Sequence, residues 1–410
     1  MSEQSLRILV TEAHELAGLG AVRSLGRAGH RVVASFPDGN LRPPSTYSRY
    51  CSGFCTQPDP WSQQLAFRDW WLDQARSGDF DVLLPTTEAS VAAASVLRGT
   101  TRTRLLMASP KSLEFALSKH QTARAALEAG IPAPRTLFFG ESGSGCDSTR
   151  DLRALRFPVI PKSDNHLQPD GIYAKGRAMR AETPEAAEPL LESLLALPTR
   201  VIVQEWVPGR GVGAFFLRHA GRVQLRFAHR RLHEIPATGG WSSLRESSTD
   251  LRVLEYGEKL LAAVNFEGVA MVEFRQVADG VPKLLEINGR LWGSLALALH
   301  AGVDFPKAWL GCATSGTPGV EQPRYPAGLV CRNHPGEVRR LRSLLQAESA
   351  TWPRARAWLG FAARCLDPRV RHDHWWWSDP GPGWAALRYA AREYRGWRPL
   401  RPARQPSSLT

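Results

Sequence analysis

The sequence has little cysteine and no long apolar run. Its six cysteines are scattered along 410 residues, and the one close pair, Cys51 and Cys55, has no further ligand at metal-like spacing. We therefore expect reduced, structural thiols. No apolar stretch approaches the roughly 20 residues that a membrane span needs, and no basic leader with an apolar segment follows Met1. These absences argue against a membrane protein and predict a cytoplasmic one.

Lysine is absent from the last ninety residues, so the positive charge of this segment comes from arginine alone. Residues 321–410 contain 16 Arg, no Lys and 7 acidic residues, so they hold most of the net charge of +13. Nucleic-acid-binding modules usually mix Lys with Arg and present aromatic residues on a sheet or in a groove. No such motif occurs, and we expect no specific nucleic-acid partner. Peripheral contact of this segment with an anionic membrane surface stays open.

The first 110 residues predict a small α/β domain with a parallel sheet. Residues 7–10 and 31–34 have the pattern of buried strands on either side of a helix. A dinucleotide site would need three spaced glycines in the turn after the first strand and an acidic residue after the second. Only Gly18 and Gly20 are suitable, and Ser35 follows the second strand. The sequence therefore argues against an NAD site.

Two lysines stand at defined places in the next predicted elements. A helix predicted over residues 112–129 carries Lys119, and a strand predicted over residues 157–162 ends in Lys162. Residues 201–207 predict a further buried strand. Antiparallel strands and an amphipathic helix follow, so the middle of the chain has the pattern of an α+β domain.

Acidic side chains recur on two neighbouring predicted strands. Glu286 and Asn288 point the same way because side chains alternate along a strand. A two-residue loop at residues 279–280, or a four-residue loop at 278–281, places Glu273 directly opposite Glu286. Like charges in that position destabilise a hairpin by up to about 1 kcal/mol, so a cation usually lies between them.

Oxygen-bearing side chains on one face suit Mg²⁺, which completes its octahedron with phosphate and water. The hairpin therefore predicts a metal site. The alternative is a solvent-facing sheet whose acids align without a ligand. A three-residue loop would turn Glu273 to the opposite face.

Together these residues resemble the ATP-grasp superfamily, specifically its carboxylate-amine ligase branch, over roughly residues 5–315. In that family a first lysine lies in a helix, and a second ends a strand after an aromatic-Pro-Val run. A hinge strand holds the adenine, and a Glu followed by Glu-x-Asn binds the metals. The matching residues are Lys119, Lys162, Gln204, Glu205, Trp206, Val207, Glu273, Glu286 and Asn288. The resemblance implies an ATP-grasp fold of mixed α/β and α+β class that binds ATP and Mg²⁺, with Mn²⁺ able to substitute.

The resemblance also implies how the nucleotide is held. Lys119 and Lys162 would act as point charges on the α- and β-phosphates. Backbone groups around Glu205 and Val207 would bind the adenine edge, where side chains matter less.

Three basic residues are the expected catalytic groups. Arg290 would reach the transferring phosphate or the substrate carboxylate, because a guanidinium is a fork-shaped donor suited to oxyanions. His229 and Arg231 lie on a basic segment that precedes the metal hairpin, as a basic strand does in the family. We expect them to bind phosphate or acyl phosphate, and the alternative is an exposed basic strand.

The implied activity is that of an ATP-dependent ligase, which activates a carboxylate as acyl phosphate and passes it to an amine. Small-molecule substrates, whether amino acid, peptide or metabolite, all fit, and a homodimer stays open. Two departures favour an alternative, a catalytically degenerate nucleotide-binding or interaction protein. The flap after the second lysine has the single glycine Gly171, and Val212 stands where many relatives have a ribose-binding glutamate.

Three domains are expected. Residues 1–110 form the Rossmann-like domain that precedes the ATP-grasp domain, and residues 111–316 form the ATP-grasp domain itself. The latter divides into a smaller lid subdomain, about 111–203, and a larger one, about 204–316. Residues 317–410 form an Arg- and Trp-rich, mostly helical C-terminal extension, whose helices pack on the body with Trp faces buried and Arg faces wet.

Overall fold

The computed structural model describes residues 5–39, 41–140, 149–236, 239–277, 280–347 and 351–395. It begins with a five-stranded sheet of order β3-β2-β1-β4-β5, in which every pairing is parallel. The strands are β1 (Arg7–Val10), β2 (Arg31–Pro37), β3 (Gly53–Gln57), β4 (Val82–Leu84) and β5 (Arg104–Leu105). The helices between them are α1 (Leu16–Arg27), α2 (Gln64–Arg76) and α3 (Glu88–Ser95). The predicted parallel sheet is confirmed.

Two helices follow, where the sequence predicted a single one over residues 112–129. They are α4 (Pro110–Leu117) and α5 (Lys119–Glu128). Ser118 between them has extended backbone, and its hydroxyl accepts a hydrogen bond from the Gln121 N–H, so it caps α5. Asp164 fixes this junction by accepting hydrogen bonds from the Ser118 hydroxyl and the His120 N–H. The break places Lys119 in the first turn of α5.

A small antiparallel sheet carries the second lysine. Its order is β6-β10-β7, with β6 (Thr136–Phe139), β7 (Val159–Ser163) and β10 (Val201–Glu205). The hairpin of β8 (His166–Leu167) and β9 (Tyr173–Ala174) follows β7, and α6 (Pro184–Leu195) follows the hairpin. Helix α6 buries Leu191 and Leu194 in a separate small core with Val201 and Val203. This core is distinct from those of the larger sheets.

The largest sheet has seven strands in the order β15-β14-β11-β12-β13-β16-β17. Its first five strands in chain order are β11 (Arg210–His219), β12 (Arg222–Ile235), β13 (Trp241–Ser248), β14 (Gly268–Gln276) and β15 (Pro282–Asn288). Its helices are α7 (Leu251–Ala263), α8 (Leu295–His300) and α9 (Phe305–Ser315). Phe215 and Phe227 of this sheet share one core with α1, α8 and α9. The sheet and the N-terminal domain are thus packed together.

The C-terminal extension, which the sequence predicted to be mostly helical, contains two short strands besides its helices. It contains α10 (His334–Ala347), α11 (Thr351–Leu366) and α12 (Gly381–Arg395), but it also adds β16 (Val330–Arg332) and β17 (Arg371–His372) to the large sheet. The expectation of buried Trp faces is wrong for Trp358, Trp377 and Trp384, which are all more than half exposed, whereas Trp376 is buried.

Buried arginines tie the extension to the body. Arg23 of α1 forms an ion pair with Asp379 at 2.8 Å, and both side chains are about 1% exposed. Arg245 of β13 donates to both carboxylate oxygens of Asp373. Removing either partner of such a pair leaves a buried charge without compensation, which is why these contacts fix the position of the extension. No helix among the described residues is long and apolar enough to cross a membrane.

Candidate functional site

Strands β14 and β15 bring the predicted metal ligands to one face. Glu273 lies directly opposite Glu286, and Met271 lies opposite Asn288, so the predicted pairing is confirmed. The amide nitrogen of Asn288 donates to Glu273 Oε1 over 3.2 Å. Within the described residues, no group of three or more His, Cys, Asp or Glu side chains has metal-binding geometry. The hairpin offers two carboxylates and one amide, a set that leaves positions on a Mg²⁺ ion for phosphate and water.

The register is reached by a different route from the one predicted. A two-residue loop would pair Gln276 with Lys283, whereas the structure pairs Gln276 with Pro282. A β-bulge between Glu273 and Phe274 then shifts the register by one residue and brings Glu286 opposite Glu273. Residues 278 and 279 of the predicted turn lie outside the described residues. The bulge, rather than the loop length, thus places both carboxylates on one face.

An arginine occupies part of this face. Arg231 Nη2 lies 2.5 Å from Glu273 Oε2, and Arg231 Nη1 donates to the Gly240 carbonyl over 2.8 Å. Burial opposes the charge on Arg231, but Glu273 and Glu234 more than compensate and raise its pKa. Arg231 therefore stays a cation, and it offsets the repulsion between the two glutamates.

Lys162 faces the same carboxylates from β7. Its Nζ donates to Gln204 Oε1 over 2.8 Å. Burial lowers the pKa of Lys162 to about 8, with a small contribution from Lys119, while Glu286 and Glu273 oppose the shift. The ammonium is thus short of anionic partners, and a phosphate beside it would restore its ordinary pKa.

Most of the residues predicted from the sequence meet in one cleft. Ten of the twelve line a cavity of about 490 Å³, namely Lys162, Gln204, Glu205, Trp206, Val207, His229, Arg231, Glu273, Glu286 and Arg290. Lys119 and Asn288 line a smaller cavity beside it, which shares Glu286 and Arg290. The small sheet and the large sheet therefore form opposite walls of the cleft, with a lysine on one and the carboxylates on the other.

Residues 205–207 line this cleft and differ in the hydrogen bonds of their backbone N–H groups. The Glu205 N–H donates to the Arg135 carbonyl over 3.0 Å, and the Trp206 N–H donates to the Pro158 carbonyl over 2.9 Å. The Val207 N–H donates to no other residue in the described part of the chain. Val207 itself lines the cleft.

His229 is more deeply buried than the other site residues. It is about 1% exposed, and neither ring nitrogen has a hydrogen-bond partner among the described residues. Burial, together with the charges of Arg231 and Arg245, holds its pKa well below the ordinary range. Its ring packs edge-on against the Phe215 ring, with the two ring centres 4.7 Å apart. His229 is therefore a neutral imidazole with one N–H to donate.

Glu88 is a site residue that the sequence reasoning missed. Its Oε1 lies 2.6 Å from Nη2 of Arg290. Burial favours the neutral carboxyl, but the Arg290 charge outweighs it and lowers the pKa of Glu88. Glu88 begins α3, directly after the carboxyl end of β4, which is the edge where ligands bind parallel α/β sheets. That position was a signal available in the sequence.

The two departures from the family pattern have structural explanations. The segment after Lys162 forms the β8-β9 hairpin, whose base Asp164 anchors to α5. Val212 is buried in the core, while its neighbour Gly211 lines the cleft. A Cβ on Gly211 would lie 2.6 Å from Arg231 Cδ and Glu234 Oε1. The cleft wall at this strand is therefore formed by backbone, with Arg231 and Glu234 beside it.

Residues 199–333 match a family model described as ATP-grasp in the biosynthetic pathway with Ter operon. No curated protein matches the chain in sequence. Among solved structures, biotin carboxylase from Campylobacter jejuni is similar with a TM-score of 0.60 and 14% identity, over 78% of this chain and 72% of that one. An L-amino acid ligase from Bacillus licheniformis has a TM-score of 0.51 and 15% identity, over 76% of this chain and 74% of that one.

A third solved structure, N5-carboxyaminoimidazole synthetase from Staphylococcus aureus complexed with ADP, has a TM-score of 0.58 and 13% identity. The similarity covers 79% of this chain and 82% of that one. At these identities the likeness concerns the fold, and the predicted fold class is confirmed. The family match over residues 199–333 and the likeness of the fold agree with the ATP-grasp resemblance that the sequence predicted.

Proposed function

We propose that this protein is an ATP-dependent ligase that activates a carboxylate as an acyl phosphate and transfers the acyl group to an amine. ADP and phosphate are the other products. The observation that carries the proposal is the facing of Glu273 and Glu286 on one side of a cleft whose other side holds Lys162. Cations and carboxylates in this arrangement suit the positioning and charge neutralisation that phosphoryl transfer requires.

The nucleotide would lie between the two sheets. The Val207 N–H is the proposed donor to the adenine edge, and Lys162 the proposed cation on the phosphates. Lys119, in the first turn of α5, approaches from the neighbouring cavity. A phosphate there would also face the amino end of α5, where backbone N–H groups favour anions.

The residues of the hairpin fit a Mg²⁺ ion, with Mn²⁺ as a chemically similar substitute. Glu273, Glu286 and the Asn288 amide oxygen are the proposed ligands, because all are hard oxygen donors on one face. When bound, the metal would supply positive charge that offsets the charge of the phosphates. Glu273 would then be shared between the metal and Arg231, and the Arg231 guanidinium would be able to bind an anion.

Three side chains are proposed to hold the reacting carboxylate and acyl phosphate. Arg290 and Arg231 both line the cleft beside the carboxylates, and each presents a planar pair of donors to an oxyanion. His229 lines the same wall as a neutral donor. Glu88 holds the Arg290 guanidinium in place from the N-terminal domain.

The substrates belong to the small molecules, and amino acids are the first to test. The similar Bacillus licheniformis protein is named an L-amino acid ligase, and the matching family model is described by a biosynthetic pathway. Both descriptions favour an amino acid, peptide or metabolite over a macromolecular substrate. A cytoplasmic location, where ATP and Mg²⁺ are abundant, and a homodimer belong to the same proposal.

The proposal is tested by ADP release from purified protein with Mg²⁺-ATP and a matrix of amino-acid pairs. We expect release that depends on both substrates and on Mg²⁺ or Mn²⁺. Glu286→Gln should abolish it and also remove the thermal stabilisation by Mg²⁺-ATP. Glu128→Gln, a change on the exposed side of α5, is the matched control and should keep both. Binding of Mg²⁺-ATP without ADP release from any pair would instead favour a non-catalytic nucleotide-binding protein.

A further inference from the structure

A second cavity lies between the C-terminal extension and the body of the protein. Its volume is about 950 Å³, within the range of small-molecule sites. We call it the extension cavity, lined by α1 and α8 residues, by β16 and β17, and by residues 365–387 of the extension. It shares no lining residue with the cleft between the small and large sheets, which is the proposed ATP site. The proposed ligase activity therefore leaves it unexplained.

Arg332 is a buried cation on the wall of this cavity. Its side chain belongs to a residue only 2% exposed, yet it forms no ion pair with any described carboxylate. Its Nη2 contacts His334 Nδ1 and Cys365 Sγ, its Cζ lies 5.6 Å from the centre of the Phe361 ring, and its Nε has no hydrogen-bond partner among the described residues. Asp373, which follows β17, is already engaged by Arg245. A buried charge without a counterion is unfavourable, so an anion is its natural complement.

The remaining polar groups of the wall also suit one anionic group. His374 Nδ1 is buried without a hydrogen-bond partner in the described residues. The charged side chains Arg27 and Asp367 pair with Asp304 and Arg369, respectively, and the exposed Arg371 on the same wall is in contact with water. Burial lowers the pKa of His374 to about 4, so its ring is neutral at pH 7. Arg332 is therefore the buried cation of this wall that has no ion pair among the described residues, and its single charge matches a carboxylate better than a phosphate dianion.

The opposite side of the cavity is apolar and open. Trp375, Trp376 and Trp377 line it together with Leu366. Trp377 is 85% exposed and Leu366 is 83% exposed. Such large apolar groups at the mouth of a cavity mark a surface that a ligand covers, because their exposure to water is unfavourable.

We propose that the extension cavity binds a small carboxylate with an apolar body. The carboxylate contacts Arg332 and His374, and the apolar body packs on Trp375 and Trp377. This site is separate from the ATP cleft and does not depend on the proposed ligase activity. Its ligand is a monoanion large enough to fill a substantial part of 950 Å³.

Calorimetric titration of the full chain with 2-naphthoate, decanoate, decyl phosphate and the uncharged 2-naphthylmethanol tests the proposal. We expect a carboxylate to bind more tightly than both the alcohol and the phosphate, with the two carboxylates distinguishing a ring from a chain. Arg332→Gln should weaken carboxylate binding about tenfold or more and leave the alcohol unchanged. Arg388→Gln, on the exposed face of α12 and outside the cavity, should change neither.

A second variant keeps the test valid if Arg332→Gln fails to fold. Trp377→Ala removes an exposed side chain and should weaken the carboxylate and the alcohol alike. Trp358→Ala, an exposed Trp on α11 that does not line the cavity, is its control. The absence of binding at millimolar ligand, equal affinity for carboxylate and alcohol, tighter binding of the phosphate, or equal effects of variants and controls would each overturn the proposal.

Discussion

Arg231 Nη2 lies 2.5 Å from Glu273 Oε2, so an arginine on β12 forms an ion pair with one carboxylate of the proposed metal site. The two side chains are 12% and 17% exposed, which strengthens the pair relative to a surface contact. A Mg²⁺ ion bound by Glu273 and Glu286, as proposed, would have to compete with this guanidinium. The proposed site would then hold either the internal cation or the external one.

This competition predicts how Arg231→Gln behaves. Without ligand, the variant should lose about 2 kcal/mol of unfolding free energy, because the half-buried Glu273 then loses the cation that is hydrogen-bonded to it. Mg²⁺ should stabilise the variant more than it stabilises the wild type. Urea unfolding with and without Mg²⁺ measures both effects. Arg230→Gln breaks the neighbouring pair with Glu246, whose arginine is half exposed, and should cost under about 1 kcal/mol with no change in the Mg²⁺ response.

The lowered pKa of Lys162 predicts that the protein takes up protons when it binds a nucleotide. Its pKa is about 8 in the free protein, so a fraction of the lysine is neutral at pH 8.5 and a bound phosphate restores the charge. Affinity for ATP should fall as the pH rises above about 8. Calorimetry in buffers of different ionisation enthalpy measures the uptake. Lys162→Arg, which stays charged, should bind without proton uptake, and unchanged uptake in that variant would contradict the assignment.

The raised pKa of Glu12 predicts that the stability of the folded protein depends on pH. It is buried between β1 and α1, and burial raises its pKa from 4.5 to about 7, against the hydrogen bonds from Thr87 and Ser90. Between these values the folded protein holds a proton that the unfolded chain has released. Stability should therefore fall as the pH rises from about 4.5 to 7, by roughly 3 kcal/mol at most. Chemical denaturation across this range should show a flatter profile for Glu12→Gln, whereas the exposed Glu114→Gln should keep the wild-type profile.

The contact between Glu88 and Arg290 predicts a ligand-dependent defect. Glu88→Gln should cost about 1 to 2 kcal/mol in the free protein, because Arg290 loses its nearest carboxylate partner. A saturating nucleotide should reduce this loss, since a phosphate supplies the missing negative charge. Thermal unfolding with and without Mg²⁺-ATP measures the difference. Glu182→Gln in the exposed pair with Arg180 should have little effect in either condition.

The features that could be predicted are those that depend on local chain geometry. Glu286 and Asn288 share a face because side chains alternate along any strand, and Lys162 lies at a strand end because its apolar run stops there. The single helix over residues 112–129 was predicted wrongly, because Ser118 is tolerated within a helix but also caps one. Its choice here depends on Asp164, which lies far along the chain.

Residues 5–315 therefore carried their resemblance to the ATP-grasp superfamily in short motifs, and these were sufficient to predict the fold class. Contacts between distant segments were not encoded in that way. The bulge that aligns Glu273 with Glu286, the approach of Arg231 and the contribution of Glu88 all result from how separate sheets pack. Tertiary structure also added two strands of the extension to the large sheet and enclosed Arg332 without a counterion among the described residues. Burial and ion pairing act through space, so only the folded chain decided them.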